Sequence, residues 1–165
     1  MPVIGSEIDR ETLSLVVTTE LDAPVERVWQ LWADPRQLER WWGPPGWPAS
    51  FPLHDFVVGG ESRYRMTGPE GEISAGWLRF TRLEPPHRIE LDDGFAGDDG
   101  EPNSDMPTMR MVIDIAPTPE GRARMSIRTV FASIDDLEQI TGMGMAEGMT
   151  AAMGQIDAIV AERAA

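Results

Sequence analysis

The sequence predicts an α+β fold: one antiparallel sheet of six to seven strands, wetted on one face, with a long C-terminal helix across the other and two short helices after the first strand. Three observations predict it. Period-two alternation fills residues 50 to 133. Two short helical patterns, each opened by Asp and Pro, lie between the first strand and that block. A 3.6-residue apolar period runs from Ser133 to about residue 163. A length of 165 residues suits one domain, 1–165, with its core at about 12–163.

In "ETLSLVVTTEL" (11–21), Leu13, Leu15, Val17, Thr19 and Leu21 share a face, as in a half-buried strand. "DAPVERVWQLWAD" follows. Asp22 can cap, Pro24 suits a first turn, and Val25, Val28, Trp29 and Trp32 share a helical face. "DPRQLERWW" restarts with Asp34 as cap and Pro35 at the first position, and "GPPGWP" ends it. Strands are then predicted at "SFPLHDFVV", "ESRYRMTG", "EISAGWLRFTRL", "HRIEL", "MPTMRMVIDI" and "RARMSIRTVFA". Ser62, Tyr64 and Met66 share a face, as do Met109, Met111, Ile113 and Ile115, and Ala123, Met125, Ile127, Thr129 and Phe131. The parity slips between Trp77 and Leu78, which predicts a bulge near Gly76. Ser133, with Asp136 three residues on, starts the last helix, whose spacing runs through Leu137, Ile140, Met149, Met153, Ile156 and Val160.

Composition excludes several classes. No cysteine is present, so disulfides and thiolate chemistry are out. All fourteen basic residues are arginine, yet net charge is −14, which repels phosphate backbones and anionic membranes. No nucleic-acid partner and no membrane insertion are expected. "MPVIGSEIDRETLSLVV" lacks the layout of a signal peptide, and a cytoplasmic location is expected. The two histidines, His54 and His87, fall on separate elements, and the acidic residues at 92–105 lack calcium-loop spacing, so no metal or other cofactor is expected. No Gly-x-Ser-x-Gly elbow occurs, and "GMGMAEG" has the wrong spacing for a dinucleotide loop.

Four stretches carry a resemblance: "APVERVWQLWADPRQLERWWGP", "DFVVGGESRYRM", "LEPPHRI" and "MAEGMTAAMGQIDAIVAE". Together they resemble the START-like or Bet v 1-like superfamily. More narrowly, they resemble the branch named after the activator of the Hsp90 ATPase, over about residues 12 to 163. The resemblance implies a helix-grip fold, in which a curved sheet wraps around the C-terminal helix. It also implies a cavity for a small hydrophobic molecule between helix and sheet. A polyketide cyclase or aromatase activity is the alternative. An Hsp90-type co-chaperone role comes third, for want of an additional N-terminal domain to grip such a partner. One departure is Gly148-Met149-Thr150, where the branch often has Gly-Trp-Thr or Gly-Trp-Ser; methionine there implies a softer, larger cavity.

The inward faces give the candidate lining. From the helices come Trp32, Trp42, Met145, Met149 and Met153; from the strands, Tyr64, Met66, Trp77, Met109, Met111, Ile127 and Phe131. The methionines fit either core filling or a deformable cavity. The Tyr64 hydroxyl either orients a ligand or meets water at the rim. No carboxylate or histidine is expected on the inner faces, so no catalytic residue is assigned. Residues 92–105 read as a solvated acidic loop or, through Phe95 and Met106, a flap. Gly144 and Gly148 leave room for a ligand or for close packing. Arg63, Arg65, Arg110, Arg122, Arg124 and Arg128 fall on outer faces. "ERWWGPPGWP" reads as a plug at the cavity end with one ring left free. A homodimer through strand edges or this loop stays open.

Overall fold

Alternation and glycine turns resolve into eight strands of one antiparallel, curved sheet in the computed structural model, which describes residues 3–162. In chain order these are β1 (Val3–Asp9), β2 (Ser14–Leu21), α1 (Val25–Ala33), α2 (Pro35–Trp42), β3 (Ala49–His54), β4 (Glu61–Thr67), β5 (Ile73–Glu84), β6 (Arg88–Ala96), β7 (Met109–Pro117) and β8 (Ala123–Val130). Helices α3 (Ile134–Gly142), α4 (Met145–Met153) and α5 (Ile156–Ala161) follow. The sheet order is β1-β2-β8-β7-β6-β5-β4-β3. Thus α1 and α2 carry the chain from β2 to the far edge, and a meander brings it back beside β2. None of the described helices is long and apolar enough to cross a membrane.

The strand count corrects the prediction of six to seven. β1 carries Gly5 and Ser6 in mid-strand, a poor strand signal. It forms because the edge of β2 offers unpaired backbone groups, which it takes from Val3↔Thr19 to Asp9↔Ser14. The first predicted strand also begins too early. Asp9 Oδ1 accepts the backbone N–H groups of Glu11 and Thr12, and Leu13 turns at φ 54°. Ahead of α1 the cap is Pro24, not Asp22, with no side-chain bond. α2 starts as predicted: Asp34 accepts the Arg36 N–H at 2.9 Å and Pro35 opens the helix.

The bulge expected near Gly76 is also elsewhere. Pairing of β4 with β5 runs unbroken from Glu61↔Arg79 to Thr67↔Ile73, and the irregularity lies between Phe80 and Arg82. Gly76, Leu78 and Phe80 therefore belong to one face, buried against the helices, and Trp77 to the other.

The predicted single C-terminal helix is three segments. Ser133 Oγ accepts the Asp136 N–H at 3.1 Å and opens α3 as expected. Gly144 then turns into the left-handed region at φ 93° and caps α4, so α3 and α4 are separate. Gly154 and Gln155 keep right-handed helical angles, so α5 continues α4 through one irregular turn. The last predicted helical residue, 163, lies outside the described residues. Gln155 Nε2 donates to the Gly43 carbonyl at 2.7 Å, and Arg40 pairs with Glu162, which fastens this end to α2.

The outer face carries arginine–carboxylate pairs, as its alternation predicts. Arg110 and Arg88 both hold Glu90, and Arg124 holds Glu20. The acidic stretch divides. Asp92 to Ala96 complete β6, and only the remainder is a loop. Arg63 donates to the Gly100 carbonyl at 2.8 Å and Arg65 to that of Asp98 at 3.1 Å, which holds the loop toward the outer face of β4.

Candidate functional site

β6 continues its inner series as Ile89, Leu91, Asp93 and Phe95, because side chains of a strand alternate. Asp93 is flanked by Leu78 of β5 and Met109 of β7 in register. It is 5% exposed, and among the described residues no hydrogen bond or ion pair reaches its carboxyl. Burial alone pushes its pKa up to about 7, because nothing nearby favours the charged form.

The carboxyl borders two adjoining spaces. One, of about 200 Å³, lies between α4 and the sheet, bordered by Trp41, Trp42 and Pro44. Its other walls are Tyr64, Met66, Met111, Ile127, Met145, Gly148, Met149 and Ala152. The second, of about 230 Å³, runs toward α3 past Ser74, Phe95, Met109, Ile140, Met143 and Gly144. Met66, Asp93 and Met145 border both.

Tyr64 lies across β5 where a side chain is missing. Its register partner is Gly76, and a Cβ there would stand 2.3 Å from the Tyr64 hydroxyl oxygen. Its ring packs against Trp42 and Phe51, with centroids 5.4 Å away in each case. Burial first, and then the charge of Asp93, push the Tyr64 pKa well above its ordinary value, so the hydroxyl keeps its proton.

Seven predicted residues line the first space: Trp42, Tyr64, Met66, Met111, Ile127, Met145 and Met149. Met109 lines the second. Trp32, Phe131 and Met153 are instead core residues, at most 2% exposed and off both walls. Trp32 packs edge-on against Trp41 and Trp42 and donates its indole N–H to the Met125 sulfur at 3.3 Å. Trp77 is a correction. It lies on the opposite face, where its ring crosses Gly94 and carries the Arg79 guanidinium 5.8 Å above it. The tryptophan loop divides its rings: Trp41 is buried and donates to the Leu31 carbonyl at 3.0 Å, while Trp42 turns to the cavity. Gly148 does leave room, since a Cβ there would meet nothing within 4 Å. Gly144 is a helix cap.

The expectation of no inner carboxylate or histidine is overturned twice. Asp93 was hidden in the run "DDGFAGDDGE", whose charge suggests a loop. Its parity with Ile89 and Leu91 was the signal available. His54 is inward too, among Phe51, Phe56 and Phe80. It bonds the Trp32 carbonyl through Nε2 at 2.9 Å and Ser62 Oγ through Nδ1 at 2.7 Å. Burial lowers its pKa, which keeps it neutral and structural, off both walls.

The comparisons agree with this architecture. The sequence profile of the family described as activator of Hsp90 ATPase homolog 1-like protein matches residues 22–161. The crystal structure of a Mycobacterium smegmatis protein is 42% identical, with 99% of each chain covered and a TM-score of 0.90. A solution structure of an Arthrobacter aurescens protein is 46% identical, covering 98% of this chain and 94% of its own, with a TM-score of 0.92. A Rhodobacter sphaeroides protein at 22% identity shares the fold, with a TM-score of 0.81 over 98% of this chain and 99% of its own. No curated protein matches the chain. With its helix-grip architecture and a family match across most of its length, the chain belongs to the activator of Hsp90 ATPase homolog 1-like family.

Proposed function

We propose that this protein binds a small, mainly apolar molecule between α4 and the sheet. One observation carries the reading: an apolar-walled space opens onto a single carboxyl that no side chain of the described residues satisfies. Packing alone does not account for such a group, because a buried polar group without a partner costs stability. Four methionines on the wall, Met66, Met111, Met145 and Met149, make it adaptable to ligand shape.

Thermal unfolding against fatty acids, sterols, aromatic polyketides and apolar amines tests the reading. A ligand held only by the folded state adds about 2.7 kcal/mol at 100 times its dissociation constant. No shift with any class overturns it. Met149→Trp fills the space from α4 and is expected to weaken any binding ligand about tenfold or more in calorimetry. Unchanged affinity would remove α4 from the site.

A second reading gains support from Asp93. A carboxyl that titrates at about 7 beside a protonated tyrosine suits proton transfer to or from a bound carbonyl compound, as in the cyclase alternative. The co-chaperone reading rests on the family's description alone.

A further inference from the structure

Resting on that binding reading, we propose that the cavity's preferred ligand is an organic cation: a secondary or tertiary amine with an apolar arm on each side of its nitrogen. Three observations converge. Asp93 is the one charged side chain on either wall, nine-tenths buried and without a partner among the described residues. It stands where the two spaces adjoin, so a nitrogen at the carboxyl leaves one substituent for each. Beside it, Trp42 and Tyr64 offer aromatic rings, which attract cations.

Charge decides among ligand classes. A fatty-acid carboxylate would meet Asp93 as a like charge, with no arginine of the described residues on either wall to offset it. A neutral ether has no proton to give and would leave the ionised carboxyl unpaired, and a sterol hydroxyl would offer it one neutral hydrogen bond without opposing charge. An ammonium both satisfies it and forms a charge-assisted hydrogen bond in surroundings of low dielectric constant. The charged neighbours face elsewhere. Arg110 on β7 holds Glu90 on the outer face, Arg63 and Arg65 on β4 hold the 97–108 loop, and Glu147 of α4 lies off both walls. Among the described residues Tyr64 is the only other titratable group lining either space, and it stays protonated. Affinity for the amine therefore follows ionisation of Asp93.

The test is calorimetry on the folded chain with three probes of one size: N-butylbenzylamine, benzyl butyl ether and 5-phenylpentanoate. At pH 8 the amine is expected to bind about tenfold or more tightly than the ether, and the carboxylate more weakly than either. Lowering the pH from 8 to 5.5 should weaken the amine about tenfold and leave the ether no weaker, because the protonated carboxyl can donate to the ether oxygen. Asp93→Asn should bring the amine's affinity down to that of the ether, and retained ether binding together with an unchanged circular-dichroism spectrum shows that the variant is folded with its cavity open. Ether binding equal to amine binding at pH 8, or an amine advantage that survives Asp93→Asn, overturns the inference and leaves the binding reading standing. If amine, ether and carboxylate all fail to bind, this inference falls together with an apolar-ligand role for the cavity.

Discussion

Between pH 4.5 and pH 8, Asp93→Asn is expected to gain roughly 3–4 kcal/mol of stability relative to the parent chain. The Asp93 pKa is about 7 when folded, against an ordinary 3.8. A carboxyl raised on folding does no harm below its unfolded pKa, where both states hold the proton. From pH 3.8 to about 7 the unfolded chain releases that proton and the folded chain does not, so the parent loses about 1.4 kcal/mol per pH unit. Above about 7 both states are ionised and the loss is complete. Asparagine has no such step. Any cost of burying its amide is the same at both pH values and cancels from the comparison. For a chain of this length the widening amounts to about 10 °C in melting temperature. Thermal unfolding of both proteins at the two pH values measures it. A gap independent of pH would mean that Asp93 is hydrated.

Trp32→Ala is expected to cost about 3–5 kcal/mol, the range for removing a large aromatic side chain from a core. Trp32 is fully buried, 5.0 Å from Trp41 and 5.8 Å from Trp42 between ring centroids. Its backbone carbonyl also holds His54. The side chain anchors α1, α2 and, through Met125, β8 at one point. In urea the midpoint should fall with little change in slope. Trp77→Ala, on the half-buried outer face, should cost much less. Equal losses would contradict the two placements.

The sequence made most of the inner wall legible because β7 and β8 alternate without ambiguity: Met111, Ile113 and Ile115 face Thr129, Ile127 and Met125 across one ladder. β5 is different. Ile73, Ala75 and Trp77 lie on one face and Leu78 and Phe80 on the other, so hydrophobicity does not say which is inside. The close approach of Tyr64 to Gly76 resolves it, and that pairing is a tertiary fact. Asp93 fails for the opposite reason. Its parity is right, but its charge and its neighbours Asp92 and Gly94 outweigh parity in any reading of a single chain. The helix break at Gly144 interrupts a period that continues on both sides of it. Only the backbone angle separates a glycine that caps from one that makes room.

That same angle decides which end of α4 is held by a neighbouring helix. A helix draws its cohesion from an unbroken ladder of hydrogen bonds, and a segment of nine residues is marginal by itself. With its ladder ended at Gly144, α4 is separated from α3 and runs on only at its other end, through one irregular turn into α5, which is fastened to α2. On the binding reading proposed above, a guest would leave by the lifting of the N-terminal end of α4 alone, while α5, Trp32, Trp41 and the strands stay packed.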